Sequence, residues 1–294
     1  MIKKLKDFRS KSLYSHNSNL FSFLFLFTID LIHFINISIK TLFISKHFKK
    51  TKFLKNKFKN HNAFVLANGP SLKKIDLSKI KKRQEDFGDK VLCLNSFLGK
   101  LSSKLIPDFY VLSDPVYFGL DIELHGENTL KEIKKDLELI EKHKIPLFIP
   151  FKFKDNLNIN TNVYYFNDVE LRRFNKNVTD LTKPRCYKSM TAFKSLAIAC
   201  YLGFKKIYIS GFDNNYFKSV EVDEKNELSY LENHAFKQGD SDKFTLNKIN
   251  LGIFLLSQSY TFSDFYKFPK NIINLDKDSL TDAFKKNSFH ETFK

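Results

Sequence analysis

Four short apolar runs, each closing on a small, polar or acidic residue, constrain this chain most. They occupy 63–67 before Asn68-Gly69-Pro70-Ser71, 91–94 before Asn95-Ser96, 109–112 before Ser113-Asp114-Pro115, and 206–210 before Gly211-Phe212-Asp213. A half-exposed strand alternates polar and apolar residues, whereas a strand covered on both faces reads as a continuous apolar run. Helical patterns separate these runs: one from about Asp76, a polar amphipathic one over 127–144, and one over 189–202 that Gly203 stops. Further strand patterns lie at 147–149, 163–166 and 272–275, with a helical one near 243–260. Strands alternating with helices predict an α/β fold, a doubly wound, Rossmann-like parallel sheet. That domain spans 61–294 and carries a charged, weakly periodic, lid-like insertion at 214–240.

The net charge of +17 is placed unevenly. Residues 1–60 hold thirteen Lys or Arg against Asp7 and Asp30, a balance of +11 that leaves +6 for the rest. Basic charge so concentrated points to an anionic surface. Residues 20–42 decide which one. They are densely apolar, and Asp30, His33, Asn36 and Lys40 recur at steps of three or four, so they share one helical face. An apolar helix with a narrow polar stripe and basic flanks suits the surface of a bilayer. The alternatives are docking on the chain's own domain or on a second subunit, and a true span. No nucleic-acid partner is expected, because the basic charge lies outside the folded part and carries no stacking platform. Residues 45–60 read as a basic linker or membrane-facing skirt. Cys93, Cys186 and Cys200 are too scattered for a disulfide framework or a zinc site. The expected location is cytoplasmic, peripheral to the inner face of the membrane, and oligomer formation stays open.

Ligands of open α/β sheets bind outside the carboxyl ends of the strands. Gly69 permits close approach to the backbone, and Ser71 with the following amides can donate to a phosphate. A plain β-to-α turn capped by Ser71 is the alternative. Neither the dinucleotide pattern nor the P-loop Lys-Ser/Thr is present. Asp114 and Asp213 are either ligand contacts or solvated turn residues. His234 lies in the insertion, and a histidine, whose imidazole ordinarily titrates near neutrality, suits a general base. Tyr216 and Tyr230 either contact phosphate or pack the loop together.

Taken together, 67–76 and 197–213 resemble the bacterial sialyltransferases of glycosyltransferase family 42. They also resemble a broader family of 6-hydroxymethylpterin diphosphokinase-like domains, found among surface-polysaccharide proteins. The first resemblance implies that Asn68, Gly69, Pro70 and Ser71 hold the cytidine monophosphate part of a donor, with Asn95 a further nucleotide contact. It places Asp114 where that family has Asn, Lys188 where it has Arg, and Thr191 in its small-residue element. It assigns Asp213 to the Gly-x-Asp element, Tyr216 or Tyr230 to the leaving phosphate, and His234 to the base. The implied reaction moves a sugar, sialic acid or a related acid sugar, from a CMP donor to a cell-surface glycan or glycolipid acceptor. No metal or other cofactor is required. The second resemblance implies a magnesium-dependent diphosphokinase using Asp114 and Asp213. A non-catalytic nucleotide-binding protein is the third reading.

Overall fold

The computed structural model of the chain describes residues 20–124, 127–232, 242–246 and 249–293. In chain order the main sheet contains β1 (Ala63–Leu66), β2 (Lys90–Leu94), β3 (Phe109–Val111), β4 (Leu147–Pro150), β5 (Val163–Phe166) and β6 (Ile207–Ser210). After a separate small sheet come β10 (Ile272–Asn274) and β11 (Lys285–Lys286). All pair in parallel, in the order β11-β10-β6-β1-β2-β3-β4-β5. The chain steps outward from β1 to β5, then returns to the other side of β1 with β6. The order therefore reverses between β1 and β6, which is where open α/β sheets form their ligand crevice.

The unbroken apolar runs have a direct cause. Along β1, Ala63 and Val65 join one core layer and Phe64 and Leu66 join the other, so neither face meets water. Over the first face lies α4 (Thr191–Leu202), apolar almost all round, with Phe193, Leu196 and Ile198 fully buried. Over the second lie α2 (Leu77–Phe87), capped by Asp76, and α3 (Glu127–Lys142).

Helix α3 buries an acid. Asp136 accepts hydrogen bonds from the Gly99 amide (2.6 Å) and the Tyr117 hydroxyl (3.0 Å). Burial nevertheless pushes its carboxyl up to about 6, from an ordinary 3.8. Between those two values the folded chain binds more protons than the unfolded one, so this group's contribution to stability falls as pH rises from about 4 to 6. Asp136→Asn removes that slope. Relative to the wild type, the variant should gain on the order of 2–3 kcal/mol across this window in urea titrations. A constant difference from pH 4 to 7 would show that Asp136 ionises normally.

Three expectations change. The insertion is not a shapeless lid: β7 (Val220–Val222), β8 (Leu228–Glu232) and β9 (Asp242–Thr245) form a three-stranded antiparallel sheet. Its first turn is organised by Asp223, which accepts from the amides of Lys225 and Glu227, and by Asn226 in the left-handed region. Because β9 occupies the stretch where a helix was expected to begin, α5 starts later and runs Leu251–Phe265 from an Asn250 cap. Residues 45–60 are not a linker either. Phe48 and Leu54 are buried, the Thr51 hydroxyl donates to Tyr165 O (2.7 Å), and the Asn56 and Phe58 amides bond to the end of α4.

The expected N-terminal helix is present as α1 (Leu20–Ile44). It is long and apolar enough to cross a bilayer by length and composition alone. One face is docked: Leu26, Asp30 and Ile37 are buried, Asp30 pairs with Arg173 at 2.9 Å, and Asn167 donates to the Thr41 hydroxyl (3.3 Å). The docking alternative therefore holds for the side of the polar stripe that contains Asp30, while Asn36 and Lys40 remain exposed.

Candidate functional site

The β1–β2 and β1–β6 registers set Leu66 level with Cys93 and Ser210, so three strand ends finish flush. Just beyond them lies a cleft of about 250 Å³, lined by Asn68, Gly69 and Pro70 after β1, Asn95 after β2, Phe212 to Asn215 after β6, and Met190 to Ala192 at the start of α4. It sits at the point where the strand order reverses.

Two glycines allow β1 and β6 to finish this close. A Cβ on Gly69 would stand 2.1 Å from Asp213 Oδ2, and one on Gly211 would stand 2.1 Å from Ala67 O. Gly211 also has φ +78, a conformation that L side chains rarely adopt. The Gly69 amide donates to Gly211 O (3.1 Å), and the Gly211 amide to the Ser71 hydroxyl (3.0 Å). That hydroxyl donates to Asp213 Oδ2 (2.8 Å), and the Ser71 amide reaches both carboxylate oxygens at 3.1 and 3.2 Å. Ser71 and Asp213 are thus the two halves of a clasp. The Ser71 donors that the sequence offers to a phosphate are spent on Asp213. Burial raises the Asp213 pKa, and the Ser71 hydrogen bonds oppose the rise without cancelling it.

Besides Asp213, amides and hydroxyls supply the polar part of the cleft lining. Asn68 Nδ2 donates to Ser96 Oγ (3.3 Å) and lies 3.4 Å from Leu94 O. Asn95, at φ +47, donates through Nδ2 to Thr191 Oγ1 (3.3 Å), and Thr191 shares a 2.7 Å bond with Ser113 Oγ. Asn95 Oδ1 is buried and has no hydrogen-bond partner among the described residues. A buried acceptor left open costs free energy unless a ligand or water supplies the donor. Among the described residues no side chain caps α4 at Met190, which leaves its first amides open at the cleft wall.

Other expected contacts lie elsewhere. Asp114 accepts from the Val116 amide (3.4 Å) and caps the turn Pro115–Phe118, so its neighbour Ser113 reaches the site instead. Lys188 donates from Nζ to Ser257 O (2.6 Å) and lies over the Tyr260 ring, and partial burial lowers its pKa. Tyr230 packs beside Phe254 with ring centroids 5.6 Å apart. It lines a second, more apolar hollow of about 380 Å³, and Met190 is a wall common to both. His234 and the Tyr216 side chain lie outside the described residues.

Sequence reasoning missed Asn214 and the segment that holds it. Asn214 Nδ2 donates to Thr281 Oγ1 (2.8 Å), and the Ser279 and Thr281 hydroxyls donate to Phe212 O. This stretch has no period, and its polar residues resemble those of any loop.

A family model described as 6-hydroxymethylpterin diphosphokinase MptE-like matches residues 39–219, more than half of the chain. The chain belongs to this family. Of the two resemblances drawn from the sequence, this is the broader one. No curated protein matches the sequence. Among solved structures, the MAf glycosyltransferase of Magnetospirillum magneticum aligns over 83% of this chain at 12% identity, with a TM-score of 0.46. The chain spans 38% of that protein's length.

The family's name implies transfer of a diphosphate, for which magnesium is the usual partner. Among the described residues, neither carboxylate that the sequence offers for such an ion is uncommitted. Both Asp213 oxygens are taken by Ser71, Asp114 caps its own turn, and the described residues contain no group of three His, Cys, Asp or Glu able to share a metal.

Proposed function

We propose that this member of the MptE-like family transfers a sugar from a nucleoside-monophosphate donor to a cell-surface glycan acceptor. In this reading the nucleotide sits among Asn68, Asn95 and Thr191, and the donor is CMP-sialic acid or a related acid sugar. The observation that carries it is the open Asn95 acceptor on the floor of a cleft whose described lining contains no Lys or Arg. Neutral amides and hydroxyls read a base or ribose through hydrogen bonds. One phosphate needs little more than the first amides of α4. The triphosphate of a kinase donor carries far more charge, which known phosphoryl-transfer sites meet with Lys, Arg and metal ions.

In this mechanism a hydroxyl oxygen of the acceptor attacks the anomeric carbon, and the bond from that carbon to the donor phosphate breaks. His234 takes the hydroxyl proton, and the phosphate leaves with the bonding pair toward the α4 amides. The more apolar hollow behind Met190 suits the acceptor side.

Calorimetry on the full chain in mild detergent tests this, with CMP, CDP, UDP, GDP and ATP, each with EDTA and with magnesium. The expected result is selective CMP binding that ignores EDTA and weakens about 10- to 100-fold in Asn95→Ala, the loss of one or two buried hydrogen bonds. Magnesium-dependent ATP binding without a CMP response would sink the proposal and return the diphosphokinase named by the family. If CMP binds, His234→Ala should reduce transfer about 10²- to 10⁴-fold with CMP affinity unchanged. Full activity in that variant would remove His234 as the base.

A further inference from the structure

Between Leu24 and Phe43 the outward face of α1 is mostly apolar. Leu31, Ile32, Ile35, Ile39, Leu42 and Phe43 are 40–76% exposed, on the side opposite Asp30. Soluble proteins rarely leave so large an apolar stripe in water. The same stretch continues into a basic flank: all seven lysines between 46 and 59 are exposed, and no acidic residue stands among them. Phe53, 83% exposed, projects within that flank. An apolar stripe joined to a cationic collar complements the surface of an anionic bilayer.

Two geometries would bring α1 to lipid, and the docked face separates them. From Leu26 to Thr41, about 22 Å of helix at 1.5 Å per residue, the chain's own domain lies against α1 through Leu26, Asp30, Ile37 and Thr41. A spanning helix needs hydrocarbon around this length, and the domain occupies that side. We infer that α1 lies flat on an anionic membrane surface, its outer stripe sunk among the acyl chains and the lysine collar over the headgroups.

This orientation bears on the cleft. The segment that clasps α1 begins at Asn167, directly after β5, includes Arg173, and runs on to Met190 at the cleft wall. This contact therefore begins at the carboxyl edge of the sheet, the edge on which the cleft opens. The inference rests on α1 and its flank alone and does not depend on what the cleft binds.

The chain contains no tryptophan, so one introduced indole reports its own surroundings. Full-length Ile32→Trp, Ile39→Trp and Phe43→Trp variants are mixed with vesicles of phosphatidylcholine, with or without phosphatidylglycerol. The expected result is a blue shift of all three on the anionic vesicles, with similar shallow quenching by brominated lipids. Combining Ile32→Gln, Ile39→Gln and Phe43→Gln should lower the vesicle-bound fraction at least about tenfold, with the urea midpoint unchanged because these side chains touch solvent. Quenching deepest at the helix centre and shallow toward its end would mean a span and overturn the inference. A concentration-dependent dimer that buries the three indoles and ignores vesicles would assign the stripe to a second copy and overturn it as well. Equal binding to neutral vesicles would remove the role of the lysine collar.

Discussion

Gly211→Ala is expected to cost about 3–4 kcal/mol of stability and to lower Tm by roughly 10 °C, at ~2–4 °C per kcal/mol for a large domain. Two effects add. An alanine held at φ +78 carries a conformational penalty of about 1–2 kcal/mol. Its Cβ would also lie 2.1 Å from Ala67 O and 2.5 Å from Ala67 C, which are backbone atoms that cannot rotate away. Relief requires β1 and β6 to part at their ends, which loosens the Gly69–Gly211 bond and the Ser71–Asp213 clasp. Overpacking of this kind costs about 1–3 kcal/mol. Gly119→Ala separates the two effects, because Gly119 has φ +74 and its added methyl would meet nothing within 4 Å. That variant should lose only the conformational part. Equal Tm losses in the two variants would show that the β1–β6 closure tolerates a methyl group.

The same closure shows what a sequence can and cannot display. Burial of β1 on both faces leaves a one-dimensional trace, an unbroken apolar run, so the strands and their carboxyl ends are legible. Asn68, Asn95 and Thr191 are candidates on sequence alone, and all three line the cleft. Ser71 and Asp213 stand out as well, yet nothing local says that they hold each other from positions 142 residues apart. Once they do, a serine offered to phosphate becomes part of the frame. Lys188 behaves the same way: a cation near the start of α4 is drawn off by Ser257 O on a helix that arrives 69 residues later. Thr281 and Ser279 leave no trace at all, since a buttress of hydroxyls has neither period nor motif. The polar stripe of α1 is visible, but its outcome is settled by Arg173, which sits in a loop without pattern.

Asp168→Asn should be the most damaging isosteric change in the loop between β5 and α4, at about 3–5 kcal/mol near pH 6. The carboxylate is 2% exposed and serves three cations: Arg185 Nε at 3.0 Å, Lys194 Nζ at 3.0 Å and the exposed Lys152 at 3.4 Å. Burial works to raise its pKa, but Lys194 and Arg185 outweigh it and hold the group below the ordinary range. Among the described residues Lys194 has only this one carboxylate for its buried ammonium, so burial wins there and the pKa is lowered to about 8. Without the Asp168 charge, Lys194 falls further. The pH dependence follows from both shifts. As pH drops through the carboxylate range, the wild type loses the Asp168 contribution and the variant has none to lose, so the deficit shrinks. As pH rises toward 8, the variant's Lys194 has already released its proton in the folded state but keeps it when unfolded. The variant then gains stability with pH while the wild type does not, and the deficit shrinks again. Urea midpoints should therefore differ most at about pH 5–6 and converge on either side. Adding Lys194→Met should restore most of the loss, since an apolar side chain replaces the stranded ammonium. A deficit independent of pH, or no recovery in the double variant, would mean that Asp168 acts through packing and not through its charge.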